Sequence, residues 1–150
     1  MVTLKEGDKA PAFKGIDQNG NTVSSVEHKG KKLVLFFYSE DDSPTCTIEA
    51  CNLRDNYALL KQHGFEVIGV SPDDENSHKK FEAKYKLPYT LIADTKHTIL
   101  EKYGVWDQKQ MFGRKQFSQF HLRYNLPIRR NDIKIDCRVT IYFLNCKVCI

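Results

Sequence analysis

The chain has five cysteines among its 150 residues, and Cys46 has the surroundings best suited to chemistry. A thiol attacks only as its thiolate, and a free cysteine titrates near about 8.5, so a reactive one needs help. Ser43-Pro44-Thr45 precedes Cys46. Serine suits the N-cap and proline the first helical position, which predicts Cys46 within the first turn of a helix. There, unpaired backbone N–H groups and the helix dipole favour a negative sulfur. The acidic run Glu40-Asp41-Asp42 works against it. The other reading of Cys46 is an ordinary core residue, because free cysteines are among the most buried residue types. Cys51 lies five residues further on. On an α-helix that step rotates by about 140° and rises about 7.5 Å. A disulfide needs Cα atoms within about 7 Å, so a Cys46–Cys51 bond requires the first turn to unwind. Without a reactive Cys46, Cys51 reads as a small apolar contact on the inner helix face.

The elements around these residues follow from pattern. Ala12–Ile16 and Thr22–Ser24 read as short strands joined by the turn Asp17-Gln18-Asn19-Gly20. Leu33–Tyr38 (LVLFFY) is a continuous apolar run, expected as a strand buried on both faces. After the polar loop Ser39–Asp42, Ala50, Leu53, Tyr57 and Leu60 recur at helical spacing, and Gly64 closes one helix. Phe65–Val70 is a second strand, Ser77–Tyr85 an amphipathic helix ended by Pro88, Thr90–Ala93 a short strand, and Thr98–Tyr103 a helix ended near Gly104. Alternating strands and helices predict an α/β fold with a parallel sheet and right-handed crossovers. His63, His78, His97 and His121 show no ligand spacing and read as surface residues; Trp106 and the phenylalanines read as core.

Composition narrows the function classes. A net charge of +4, concentrated around Arg114, Lys115, Arg123, Arg129 and Arg130, comes with no nucleic-acid-binding motif. No apolar run is long enough to span a membrane, and MVTLKEGDKAPAF has no signal-peptide core, which predicts a cytoplasmic protein. In such a reducing compartment an odd set of five cysteines points to catalytic or free thiols.

The segment Leu33–Arg54, LVLFFYSEDDSPTCTIEACNLR, resembles the active-site segment of peroxiredoxins, most closely the bacterioferritin comigratory protein (PrxQ) subfamily. LKEGDKAPAF, GVSPDDENSHKKFEAKY and LIADTKHTILEKYGVW resemble the flanking segments in the same order, so the resemblance covers residues 4 to about 115. It implies a thioredoxin-like fold and a peroxidase cycle acting on hydrogen peroxide and alkyl hydroperoxides. Cys46 is then the peroxidatic cysteine, and Cys51 the resolving cysteine that condenses with its sulfenic acid. A thioredoxin-type dithiol is the implied reductant. No metal or organic cofactor is implied, and the implied state is a monomer.

The family loop reads Pro-x-x-x-Thr-x-x-Cys. Ser43 stands at the threonine position and keeps the hydroxyl that bonds thiolate and peroxide. Ser39 stands at the proline position, which is expected to loosen the pocket, and Thr45 replaces the usual glycine. The family's late-strand arginine, due near His121, has no counterpart motif, and neither Arg114 nor Arg123 takes over its role. After Lys115 the resemblance stops. Residues 116–150 are basic and aperiodic, and the family's closing strands and helix are replaced or lost. A shift of reading frame near codons 115–120 accounts for this. The competing reading is a divergent C-terminus in which Arg138–Leu144 supplies a replacement strand. Without one, Leu33–Tyr38 has an open edge. Cys146-x-x-Cys149 reads as incidental, since a zinc site would need Cys137 and a distant histidine to converge. Two functions follow: an active peroxidase, or a non-catalytic, incompletely folded chain serving at most as an interaction module.

Overall fold

The computed structural model describes Leu4 and residues 8–111, 114–117 and 140–145, with side chains at Leu4 and 8–106. Its principal sheet has six strands in the order β2-β1-β5-β4-β3-β8. The first hairpin forms as expected. β1 (Lys14–Asp17) pairs antiparallel with β2 (Thr22–Ser24). Asp17 Oδ1 accepts from the backbone N–H groups of Asn19 and Asn21 at 2.8 Å each, closing the turn with Gly20 at φ 79°.

β3 (Lys32–Phe37) and β4 (Phe65–Ser71) run parallel, and β4 pairs in parallel with β5 (Thr90–Ala93). The continuous apolar run in β3 has the predicted consequence. Val34, Phe36 and Tyr38 pack on one face with Ala50, Leu53, Leu60 and Phe81. Leu33, Leu35 and Phe37 pack on the other with Phe13, Ile99, Leu100 and Tyr103. Side chains alternate across a strand, so a strand with no polar position must be covered twice. The sheet is mixed rather than purely parallel, because β1 meets β5 antiparallel and β8 meets β3 antiparallel.

The edge of β3 is covered. β8 (Thr140–Asn145) lies along its whole length, from Lys32↔Asn145 to Phe37↔Thr140. Its bounds fall one to two residues from those of the expected replacement strand, Arg138–Leu144. β6 (Trp106–Met111) and β7 (Arg114–Phe117) form a separate two-stranded ribbon that the pattern had not indicated.

The expected single helix from Pro44 to Gly64 is divided in two. α1 spans Pro44–Asp55 and α2 spans Tyr57–Gln62, with Asn56 between them at φ −94°, ψ 3°. Asn56 Nδ2 donates to the Asn52 carbonyl at 2.9 Å, the acceptor its own N–H also uses. Such side-chain competition one turn back disturbs helices. α3 (Glu75–Tyr85) starts two residues earlier than expected, because Asp74 caps it by accepting from Ser77 N at 2.8 Å. α4 covers Thr98–Lys102.

Gly69, in the middle of β4, is a packing requirement. A Cβ there would lie 2.7 Å from the Phe36 ring and 2.8 Å from Leu91. Gly69→Ala is therefore expected to cost about 1–3 kcal/mol, the range for overpacking a core. Denaturant unfolding would show this as a lower midpoint at unchanged slope.

Candidate active site

Cys46 lies in the first turn of α1, which begins six residues beyond the Tyr38 that follows β3. The carboxyl ends of parallel strands are the general location of α/β active sites. Cys46 is 5 % exposed and Cys51, later on the same helix, is half-buried; neither is in a disulfide. With both on α1, the geometric demand on a Cys46–Cys51 bond stands: the first turn has to open.

Ser43 takes the N-cap position but not the N-cap bond. Its hydroxyl donates to the Glu40 carbonyl at 3.1 Å, and its own carbonyl accepts the first helical bond, from Thr47 N at 2.9 Å. The hydroxyl next to the sulfur belongs to Ser39, whose Oγ lies 3.5 Å from Cys46 Sγ. Sequence reading took Ser39 only as a lost proline. Its position seven residues before the cysteine was the available signal.

The loop between Tyr38 and Ser43 is fixed by its aspartates. Asp41 Oδ1 accepts from the Tyr38 hydroxyl at 2.7 Å, and Oδ2 accepts from the Ser77 hydroxyl at 2.7 Å. Oδ2 also lies 2.8 Å from His78 Nδ1, and His78 Nε2 is 3.0 Å from the Ile92 carbonyl. A carbonyl only accepts, so Nε2 carries a proton. A carboxylate at Nδ1 favours a second proton there, the imidazolium form. Burial opposes that charge, but the hydrogen bond and charge of Asp41, the Ile92 carbonyl and the charge of Asp73 together outweigh it, and the His78 pKa lies above its ordinary 6.5. Burial first, and then Asp41, push Tyr38 well above 10.0, so its hydroxyl keeps the proton it donates. The backbone N–H of Asp41 donates to Asp73 Oδ2 at 2.8 Å, which also accepts from Ser71 Oγ at 2.7 Å. Asp42 adopts φ 61°, a left-handed conformation that aspartate tolerates better than most residues. It is held by Lys84 Nζ at 2.6 Å and by the Tyr85 hydroxyl.

One expectation is corrected. His78 is not a surface residue: it is 0 % exposed, because its ring bridges the loop to β5. A lone histidine on an amphipathic helix looks solvated in sequence, and its acidic partner lies 37 residues away. In the acidic loop, Asp41 meets His78 and Asp42 meets Lys84. His63 is exposed as expected. His97 is half-buried and stacks on a half-buried Trp106 at 4.0 Å. His121, Arg123, Cys137, Cys146 and Cys149 lie outside the described residues, as does the Arg114 side chain.

Glu49, one turn beyond Cys46, is a buried carboxylate that sequence reading passed over. Tyr89 donates to the Ala50 carbonyl at 2.6 Å and ties the body of α1 to β5. Ligand atoms of Asp41, Asp73 and His78 come within 4.8 Å of one another. The hydrogen bonds given above account for that grouping.

The architecture and the site define a thioredoxin-like fold of the thiol-peroxidase type. The chain belongs to the AhpC/TSA family, whose model matches residues 6–133. Among curated proteins it is 42 % identical over 114 residues to a putative peroxiredoxin bcp of Coxiella burnetii, covering 76 % of each chain. It is 48 % identical over 105 residues to the chloroplastic peroxiredoxin Q of Suaeda salsa, covering 70 % of this chain and 49 % of that one, so it spans about half of that relative. Among solved structures, the bacterioferritin comigratory protein of Xanthomonas campestris, described for its alkyl peroxide reduction activity, matches with a TM-score of 0.66. That match has 26 % identity and covers 70 % of this chain and 67 % of the other.

Ser39→Ala removes the hydroxyl beside the sulfur. The expected outcome is a two- to tenfold slower alkylation of Cys46 by iodoacetamide, roughly the value of one hydrogen bond. An unchanged rate would deny Ser39 any part in Cys46 reactivity.

Proposed function

We propose that the chain is a thioredoxin-dependent peroxidase that reduces hydrogen peroxide and alkyl hydroperoxides through Cys46 and Cys51. The observation carrying this reading is Cys46 itself: a thiol in the first turn of α1, beside the Ser39 hydroxyl, in a chain of this family. The alkyl peroxide activity of the Xanthomonas campestris neighbour supports the substrate class.

In the first step the Cys46 thiolate attacks one peroxide oxygen. The S–O bond forms as the O–O bond breaks, and the leaving alkoxide or hydroxide takes a proton to become alcohol or water. The sulfur is oxidised to a sulfenic acid. Ser39 donates to the thiolate, and the N–H groups of the first turn of α1 stabilise developing negative charge. Ser43, at the family's threonine position, serves the peroxide only by turning its hydroxyl away from the Glu40 carbonyl. In the second step the first turn of α1 unwinds and the Cys51 thiol displaces water from the sulfenic acid, forming the disulfide. A thioredoxin-type dithiol then reduces it by exchange.

Among the described residues no helix is long and apolar enough to cross a membrane. We place the chain in the cytoplasm on its cysteine usage, and take it to act as a monomer. We also take residues 1–115 as the peroxiredoxin-like part and residues 116–150 as a divergent tail, which contributes β8 to the same sheet.

Peroxide turnover with thioredoxin, thioredoxin reductase and NADPH tests this. Wild type is expected to turn over and Cys46→Ser to be inactive. Cys51→Ser is expected to reduce about one equivalent of peroxide and then stall. Turnover surviving in Cys46→Ser would overturn the assignment.

A further inference from the structure

We propose that His78 and Asp41 are positioning residues. Their buried pair latches the Ser39–Asp42 loop in the closed arrangement that holds Cys46, and its release permits the unwinding that disulfide formation requires. The inference rests on the peroxidase reading of Cys46 and Cys51.

The latch joins three elements. His78 stands on α3, its Nε2 is fixed by the Ile92 carbonyl of β5, and Nδ1 holds Asp41 in the loop. The titratable groups facing the ring are Tyr38 from the end of β3, Asp41 from the loop and Asp73 from the segment after β4. Tyr38 donates to one Asp41 oxygen and Ser77 to the other, so both oxygens are engaged, and His78 supplies the only cation among its described partners. Nε2 cannot give up its proton without losing the Ile92 carbonyl, so deprotonation takes place at Nδ1. A lone pair then faces the carboxylate across 2.8 Å, and attraction becomes repulsion.

Among the described residues the loop has no comparable apolar anchor. Ser39 and Glu40 are exposed, and the loop's other described ties are polar too: Asp42 to Lys84 and Tyr85, Asp41 N to Asp73, the Glu40 carbonyl to the Ser43 hydroxyl, and Ser39 Oγ beside Cys46 Sγ. Immediately after it comes the turn that has to unwind, while Tyr89 fixes α1 from Ala50 onward. Opening is thereby confined to the stretch between Tyr38 and Ala50, which is bounded by buried residues at both ends.

The sign of the pH dependence follows. The His78 pKa is raised in the folded protein, so the latch is at full strength below the ordinary 6.5 and weakens as pH rises through the raised value. Loop opening should therefore increase with pH.

The test is amide hydrogen exchange of residues 40–46 in the full reduced chain, corrected for intrinsic rates. It is run from below to above the His78 titration, which is followed by ring NMR. In wild type, opening is expected to rise about tenfold or more across that titration, the scale of a charged hydrogen bond. In His78→Gln, opening should be raised to a similar extent at every pH, with no step. After one equivalent of peroxide, the variant should oxidise Cys46 more slowly, while the step that converts its sulfenic acid to the Cys46–Cys51 disulfide should have a larger rate constant. Loop exchange that ignores the His78 titration in wild type overturns the latch, and that arm needs no variant to fold. A His78→Gln protein that keeps the wild-type step overturns it as well. Because exchange is read without peroxide, a Cys46 that fails to oxidise would sink the peroxidase reading while leaving the latch to be judged on its own.

Discussion

The Asp41 carboxylate is the fixed point on which the site depends. It gathers hydrogen bonds from Tyr38, just after β3, and from Ser77 and His78 on α3, which is distant in sequence. A buried carboxylate is tolerable only when paired and hydrogen-bonded, so these groups have to converge. Their convergence sets where the chain leaves β3, and hence where α1 begins. The location of Cys46 follows from that start: three residues into α1, under the loop and against the sheet face formed by Val34, Phe36 and Tyr38.

The same arrangement sets two demands that pull in opposite directions. A peroxide-attacking thiol benefits from a closed, preorganised pocket, whereas disulfide formation needs the first helical turn to come apart. Apolar packing alone would hold the pocket in one state. Here the body of α1 is fixed by packing and by Tyr89, and the loop before it is held by polar bonds that can be broken singly. Packing therefore limits how far the helix opens, while the electrostatic ties determine how often it does.

Much of the fold was legible because local pattern and tertiary role coincide. Leu33–Tyr38 has no polar position, so only a doubly covered strand suits it. Ser43-Pro44 marks a helix start whichever partner Ser43 chooses. What was not legible depends on long-range partners. Nothing local in Ser77-His78 reveals that the imidazole is buried, because its stabilising charge sits in a loop that itself looked like a solvated acidic run. Ser39 looked like a missing proline, yet its hydroxyl lies by the sulfur. Asn56 divides the helix by a bond to its own preceding turn, a choice that helical periodicity does not register. β8 pairs with β3 within two residues of where one reading of the tail set a replacement strand.

The most direct test of the central claim is to treat the reduced chain briefly with peroxide in the presence of dimedone, which traps sulfenic acids, and to locate the adduct by mass spectrometry. The account predicts an adduct on Cys46, formed ahead of any on the other four cysteines and more abundant when Cys51 is replaced by serine. An adduct spread evenly over the thiols, or found first on another cysteine, would contradict it.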